Sequence, residues 1–152
     1  MSKLKIGTGD WVVVCDGRKA LILANQGDEK FPNLRRREVH DHDGAPTNEQ
    51  GTDTPGRVHA SVGTARSAVE QTDWHDQAER QFLEKLAQRL DAALNQGETR
   101  CFVVVAAPRA LGMLRQAYSP AVRQAVRGEI DKDYVRMPVH EIESRLVDLL
   151  AA

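Results

Sequence analysis

The residues best suited to chemistry gather between positions 43 and 73, where Arg57, His59 and Arg66 stand among small residues beside Gly56 and Gly63. Glycine has no Cβ, so a backbone carrying it can come close to a phosphate, and two guanidinium groups can pair with phosphate oxygens in forked geometry. A solvated surface loop is the other reading of the same residues. Arg109 follows an apolar run and Pro108, the place where open α/β sheets receive ligands, beyond the carboxyl end of a strand. A plain strand-to-helix turn also accounts for it. Arg35, Arg36 and Arg37 add a short run of positive charge. It suits either a nucleic-acid patch or a charged sheet edge that discourages further strand pairing. The candidate binding set is therefore Gly56, Arg57, His59, Gly63, Arg66 and Arg109.

Catalytic patterns are weaker. A two-metal nuclease needs several carboxylates converging at strand ends on paired Mg²⁺ ions about 4 Å apart, and only Asp10, Asp16, Asp131 and Asp133 fall near such ends. Asp16 is equally explained by a turn, and Asp131 and Asp133 by a polar connection. His40-Asp41-His42-Asp43 would place its two histidines on one face of a strand, two ligands where a closed zinc site needs about four. His140-Glu141 lies in a helical first turn and does not form the His-Glu-x-x-His zinc motif. Cys15 and Cys101 both fall in apolar runs expected to be buried, as small hydrophobes rather than nucleophiles or a disulfide pair. No catalytic residue, metal or cofactor is assigned. A metal-dependent nuclease, or another hydrolase using His59 or a loop arginine with strand-end carboxylates, stays open as the alternative to a binding module.

The whole-chain numbers narrow the partners. A net charge of -1 with 28% charged residues gives no global basic field, so any RNA contact must come from a local patch, and DNA is not expected. The aromatics Trp11, Phe31, Trp74, Phe82, Phe102, Tyr118 and Tyr134 fall mostly in core patterns, which leaves few platforms for stacked bases. No run approaches the length of about 18 apolar residues that spans a membrane, and Met1-Ser2-Lys3-Leu4-Lys5 lacks a signal-peptide core. A cytoplasmic protein of one domain, 1–152, is expected.

The elements that must position these residues follow from the hydrophobic pattern. Asp10 to Asp16 and Lys19 to Asn25 read as buried strands joined at Asp16-Gly17, a two-residue hairpin signal. Leu34 to His42 reads as a third, more polar edge strand. From 43 to about 73 no periodic pattern survives, which suggests a long loop. After Trp74, the residues Phe82, Leu83, Leu86, Leu90, Ala93 and Leu94 mark a helical face, with Asp73 as N-cap and Gly97 as the stop. Cys101 to Ala107, apolar throughout, is expected to be the central strand. Pro108 opens a helix, and Ser119-Pro120 opens another whose Val122, Val126 and Ile130 would face inward. Asp131 to Met137 would form a short strand. Pro138 begins a last helix with Val139, Ile142, Leu146, Leu149 and Leu150 on its apolar face. The order, β-β-β-loop-α-β-α-α-β-α, predicts an α/β fold with a mixed five-stranded sheet covered by helices.

The residues also carry a family resemblance. Ala107 to Arg115, Glu129 to Asp133 and Pro138 to Glu143 resemble the C-terminal half of the host attachment protein family. Trp11 to Ala20, Pro55 to Val58 and Ser61 to Arg66 fit the same pattern. That family is also grouped with bacterial relatives of the archaeo-eukaryotic peptide-chain release factors. The resemblance implies a ribonuclease-H-like fold similar to the release-factor middle domain, and a contact with the ribosome or an RNA. In release factors a Gly-Gly-Gln loop after the third strand positions a water for ester hydrolysis. The corresponding stretch here is 43–73, whose nearest pieces are Glu49-Gln50-Gly51 and Val62-Gly63-Thr64-Ala65-Arg66. Without Gly-Gly-Gln, the resemblance implies binding rather than peptide release.

Overall fold

The structure, a computed structural model, describes residues 5–41 and 68–151. In chain order the elements are β1 (Trp11–Cys15), β2 (Lys19–Asn25), β3 (Leu34–Asp41), α1 (Ala68–Asn95), β4 (Phe102–Ala106), α2 (Pro108–Ala117), α3 (Pro120–Ala125), β5 (Val126–Ile130) and α4 (Val139–Ala151). The strands form one five-stranded mixed sheet in the order β3-β2-β1-β4-β5. The meander β1-β2-β3 is antiparallel, while β4 runs parallel to β1 and β5 parallel to β4. The expected α/β class and strand number are therefore observed, with one correction to the layout. β1 is the central strand, and β4 sits beside it.

Both faces of β1 and β4 are covered, which is why their sequences are apolar at every position instead of alternating. Trp11, Val13 and Cys15 of β1, with Phe102, Val104 and Ala106 of β4, pack under α1 and α2 against Leu83, Leu86, Leu90, Leu111 and Leu114. Val12, Val14, Val103 and Val105 point the other way, onto Tyr134, Val135, Ile142 and Leu146. Among the described side chains of α4, Leu146 is the last that is buried, and Leu149 is 42% exposed rather than part of the expected apolar face, while the Leu150 side chain lies outside the described ones.

Three further differences have physical causes. α1 begins at Ala68, so the last part of the expected 43–73 loop is helix, and Asp73 lies inside α1 instead of capping it. The sequence of residues 68–73 carries no apolar periodicity of its own, and Trp74, which follows it, is 71% exposed. Second, α3 ends at Ala125, and Val126 turns to extended backbone with φ -73° and ψ 111°. The i, i+4 spacing of Val122, Val126 and Ile130 is helical, yet Val126 to Ile130 pairs with β4 as β5, and Asp131 to Met137 is a connection. Gly128 disfavours helix, and the free side of β4 supplies the hydrogen-bond partners that decide the matter. Third, Asp16, Gly17 and Arg18 link β1 to β2, and the turn is built by the Asp16 carboxylate, whose Oδ1 accepts from the N–H groups of Arg18 and Lys19 at 2.8 Å each.

Other signals are seen as expected. Gly97 ends α1 with φ +75°, the left-handed conformation that favours glycine. The Ser119 side chain accepts from the N–H of Val122 at 3.1 Å, and its hydroxyl donates to Asp91 of α1 at 2.6 Å. Ser119→Ala removes both bonds and is expected to lower stability by about 1 kcal/mol, seen as a lower urea midpoint with an unchanged slope. At the amino end of the sheet, buried Asn25 donates to the carbonyls of Ile6 and Gly7 at 3.0 and 3.1 Å. Its Oδ1 accepts from Gly27 and Asn33 at 2.9 Å each, which closes the β2–β3 connection around one side chain.

Candidate functional site at the carboxyl ends of the parallel strands

Because β1 and β4 are parallel and in register from Trp11–Phe102 to Cys15–Ala106, their carboxyl ends lie side by side. The Asp16-Gly17-Arg18-Lys19 turn and the start of α2 at Pro108-Arg109 are thereby brought together. β3 pairs its last residue, Asp41, with Lys19, so it ends on the same edge. α1 runs down from this edge: Asp76 and Glu79 contact Arg109, while Thr99, beyond its far end, donates to the carbonyl of Gly9 at the amino edge. Asp76 lies eight residues into α1, so the start of that helix at Ala68 projects about 12 Å further out.

Arg109 is held by two carboxylates. Its Nε donates to Glu79 at 3.1 Å and its Nη2 to Asp76, and the side chain remains 60% exposed. The α1 contact also crowds the turn, where a Cβ on Gly17 would lie 2.7 Å from the side-chain carbons of Glu79. Arg18 is exposed and has no side-chain partner among the described residues, whereas the carboxylates of Asp16, Asp76 and Glu79 are all engaged. Lys19 and the exposed Asp41 at the end of β3 are likewise without side-chain partners among the described residues, so two cations and one carboxylate are uncommitted around this turn. Sequence reasoning singled out Arg109 but missed Arg18. Its signal was available, since it follows directly on the turn that ends an apolar strand. Ala107 offers no side-chain cap to α2, and among the described residues no side chain accepts from the helix's first N–H groups.

The other candidates are dispersed. Gly56, Arg57, His59, Gly63 and Arg66 lie outside the described residues, as do His42 and Asp43. Arg37 is not a free member of a basic run. A register shift between Ile22 and Leu23 leaves it unpaired in β3, and it reaches Glu98 at 2.8 Å and stands 5.0 Å from the Trp11 ring. Arg35 and Arg36 are exposed and without partners among the described residues, which suits an edge strand. His40 is engaged with Glu38 at 2.9 Å.

Asp10 and Asp16 flank opposite ends of β1 and are about 20 Å apart along the strand, too far to share a pair of metal ions. Asp10 is bound by Arg127 at 2.8 Å and by the N–H of Gly7 at 2.8 Å. No cluster of three or more metal-ligating side chains occurs among the described residues. Cys15 is fully buried, and burial, reinforced by the Asp16 charge, pushes its thiol up to about 12, so it stays protonated and inert. Cys101 departs from expectation: it precedes β4, is partly exposed, and its sulfur accepts from Arg127 at 3.0 Å. Among the described residues, no helix is long and apolar enough to cross a membrane.

The carboxyl edge thus offers cations and open helix N–H groups, a combination suited to holding an anion. A family model described as "protein required for attachment to host cells" matches residues 11–146, from the start of β1 into α4. No curated protein matches the chain.

Proposed function

The chain belongs to the family of proteins required for attachment to host cells, and from that membership we propose a non-catalytic, translation-linked module that contacts RNA, on the ribosome or free. The contact is made by Gly56, Arg57, His59, Gly63 and Arg66 together with Arg109. The observation that supports this most is the cationic turn at the carboxyl edge, where Arg109 stays 60% exposed beside the exposed Arg18 and the open N–H groups that begin α2. Phosphate contacts of this kind bind RNA without a global positive charge, and their strength falls with salt.

Salt-dependent co-sedimentation with ribosomes, together with binding of a labelled single-stranded RNA, tests the reading. Wild type is expected to bind at low salt. The Arg57→Ala/Arg66→Ala double variant is expected to bind more weakly and to lose about 1.4 from the slope of log K against log salt, roughly 0.7 per phosphate contact. Arg18→Ala, on the edge itself, is expected to remove about 0.7. Failure of the wild type to bind either RNA or ribosomes at low salt sinks the proposal.

A further inference from the structure

A concave surface with two arginines lies at the other end of α2 from Arg109. The carboxyl end of α2 and the β5 edge frame an open cavity of about 270 Å³, lined by Arg115, Tyr118, Arg123, Val126, Gly128 and Glu129. Since α2 runs away from the carboxyl edge and Val126 pairs with Phe102, the first residue of β4, this cavity belongs to the amino half of the sheet. It shares no residue with the Arg109 site and does not depend on the reading given for it.

The polar groups around the cavity are arranged unequally. Glu129 is saturated: Arg115 Nε donates to its Oε1 at 2.8 Å, and the Tyr118 hydroxyl donates to its Oε2 at 3.2 Å. That carboxylate fixes Arg115 in one orientation while leaving other guanidinium N–H groups unused. Arg123 has no acidic partner among the described residues. It donates to the Arg115 carbonyl at 3.0 Å and its guanidinium lies 5.8 Å from the centre of the Tyr118 ring, so it is positioned without being neutralised. The lining itself holds two guanidinium groups and one carboxylate, and Asp131, outside the lining, adds its negative charge from the Arg115 side. Preorganised, forked donors of this sort recognise oxyanions, and the volume lies just below that of ordinary ligand pockets.

We propose that the Arg115–Arg123 cavity binds a small oxyanion, a phosphate or a carboxylate, through the two guanidinium groups. Tyr118, Val126 and Gly128 complete its lining.

Titration of the full chain with inorganic phosphate and, separately, with succinate at constant ionic strength tests this, read by NMR shifts of the Gly128 and Glu129 amides. Saturable shifts are expected with one of the two. Phosphate alone identifies a phosphate-bearing ligand, succinate alone a carboxylate. Arg123→Ala, a change at an exposed position that leaves the Glu129 bonds in place, is expected to weaken binding at least about 10-fold, the loss of one charge-assisted contact. Arg123→Lys, which keeps the charge but loses the fork, falls between. No saturable shift with either anion overturns the proposal, and so do shifts that survive Arg123→Ala unchanged.

Discussion

Trp11→Ala is expected to lower the unfolding free energy by about 4 kcal/mol, the largest loss from any single truncation considered for this fold. Trp11 is 1% exposed and opens the central strand, where its ring meets Phe102 edge-on at 6.0 Å between centroids. Its outer face is roofed by Arg37 at 5.0 Å and Arg89 at 5.5 Å. Truncation therefore leaves a cavity between sheet and α1 and also removes the surface on which two guanidinium groups rest. A stability of about 5–15 kcal/mol is usual for a domain, so the variant would lose a large share and melt on the order of 10 °C lower. Trp11→Phe keeps the edge contact with Phe102 and is expected to cost only about 1–2 kcal/mol. Urea unfolding measures both. Fluorescence provides a control, because Trp74 is 71% exposed and a folded Trp11→Ala protein should emit as an exposed indole alone. A loss below about 1 kcal/mol for Trp11→Ala would contradict this account of the core.

The second large effect concerns Arg89. Its Nε and Nη2 donate to both oxygens of Glu38, at 3.0 and 2.5 Å, and its Nη1 and Nη2 donate to both oxygens of Glu98, at 3.2 and 2.8 Å. One guanidinium thus ties α1 to the β3 edge and to the residue that follows Gly97. Removing it leaves Glu98 with Arg37 and Glu38 with His40, each carboxylate without its main cation and near the other. Arg89→Ala is expected to cost about 2–3 kcal/mol, between the value for an exposed ion pair and that for a buried one.

The same network sets a pH dependence. Hydrogen bonds from Arg89 first, and from Arg37 second, lower Glu98 from its ordinary 4.5 to about 2. Glu38 is also lowered, chiefly by the Arg89 hydrogen bond. A carboxyl that is more acidic in the folded chain than in the unfolded one favours folding when ionised. Its contribution is complete above about 4.5 and disappears as pH falls through about 2. Wild-type stability is therefore expected to decline between about pH 5 and pH 2, with a shallower decline for Arg89→Ala. Added salt narrows the gap, since the side chains are partly exposed. Parallel pH profiles for the two proteins would rule out the network as the cause.

Much of this fold was legible because its central strands are buried on both faces. Trp11 to Cys15 and Phe102 to Ala106 had to be apolar at every position, and their lengths and bounding residues marked them as strands. Caps were equally plain: Ser119 and Gly97 act through their own chemistry and need no distant partner. What failed were the places where a distant partner decides. Val126 to Ile130 has helical spacing and becomes a strand because β4 offers it an edge. The first turns of α1 carry no periodicity by which a helix could be read.

The candidate sites divide in the same way. Residue types alone pointed to the arginines, for their charge and fork are properties of the side chain. Only the folded chain reveals which are committed: Arg37 to Glu98, Arg109 to Asp76 and Glu79, Arg115 to Glu129. It also reveals that Arg18 and Arg123 have no acidic partner among the described residues. The sequence by itself determined the α/β class, the buried strands and the Ser119 and Gly97 caps, though not the Asp73 one, since these depend on hydrophobic pattern and local hydrogen bonding. The strand order, the fate of 126–130 and the pairing of each charge were decided by tertiary structure, because each is settled by a group far away in the chain that comes within reach only on folding.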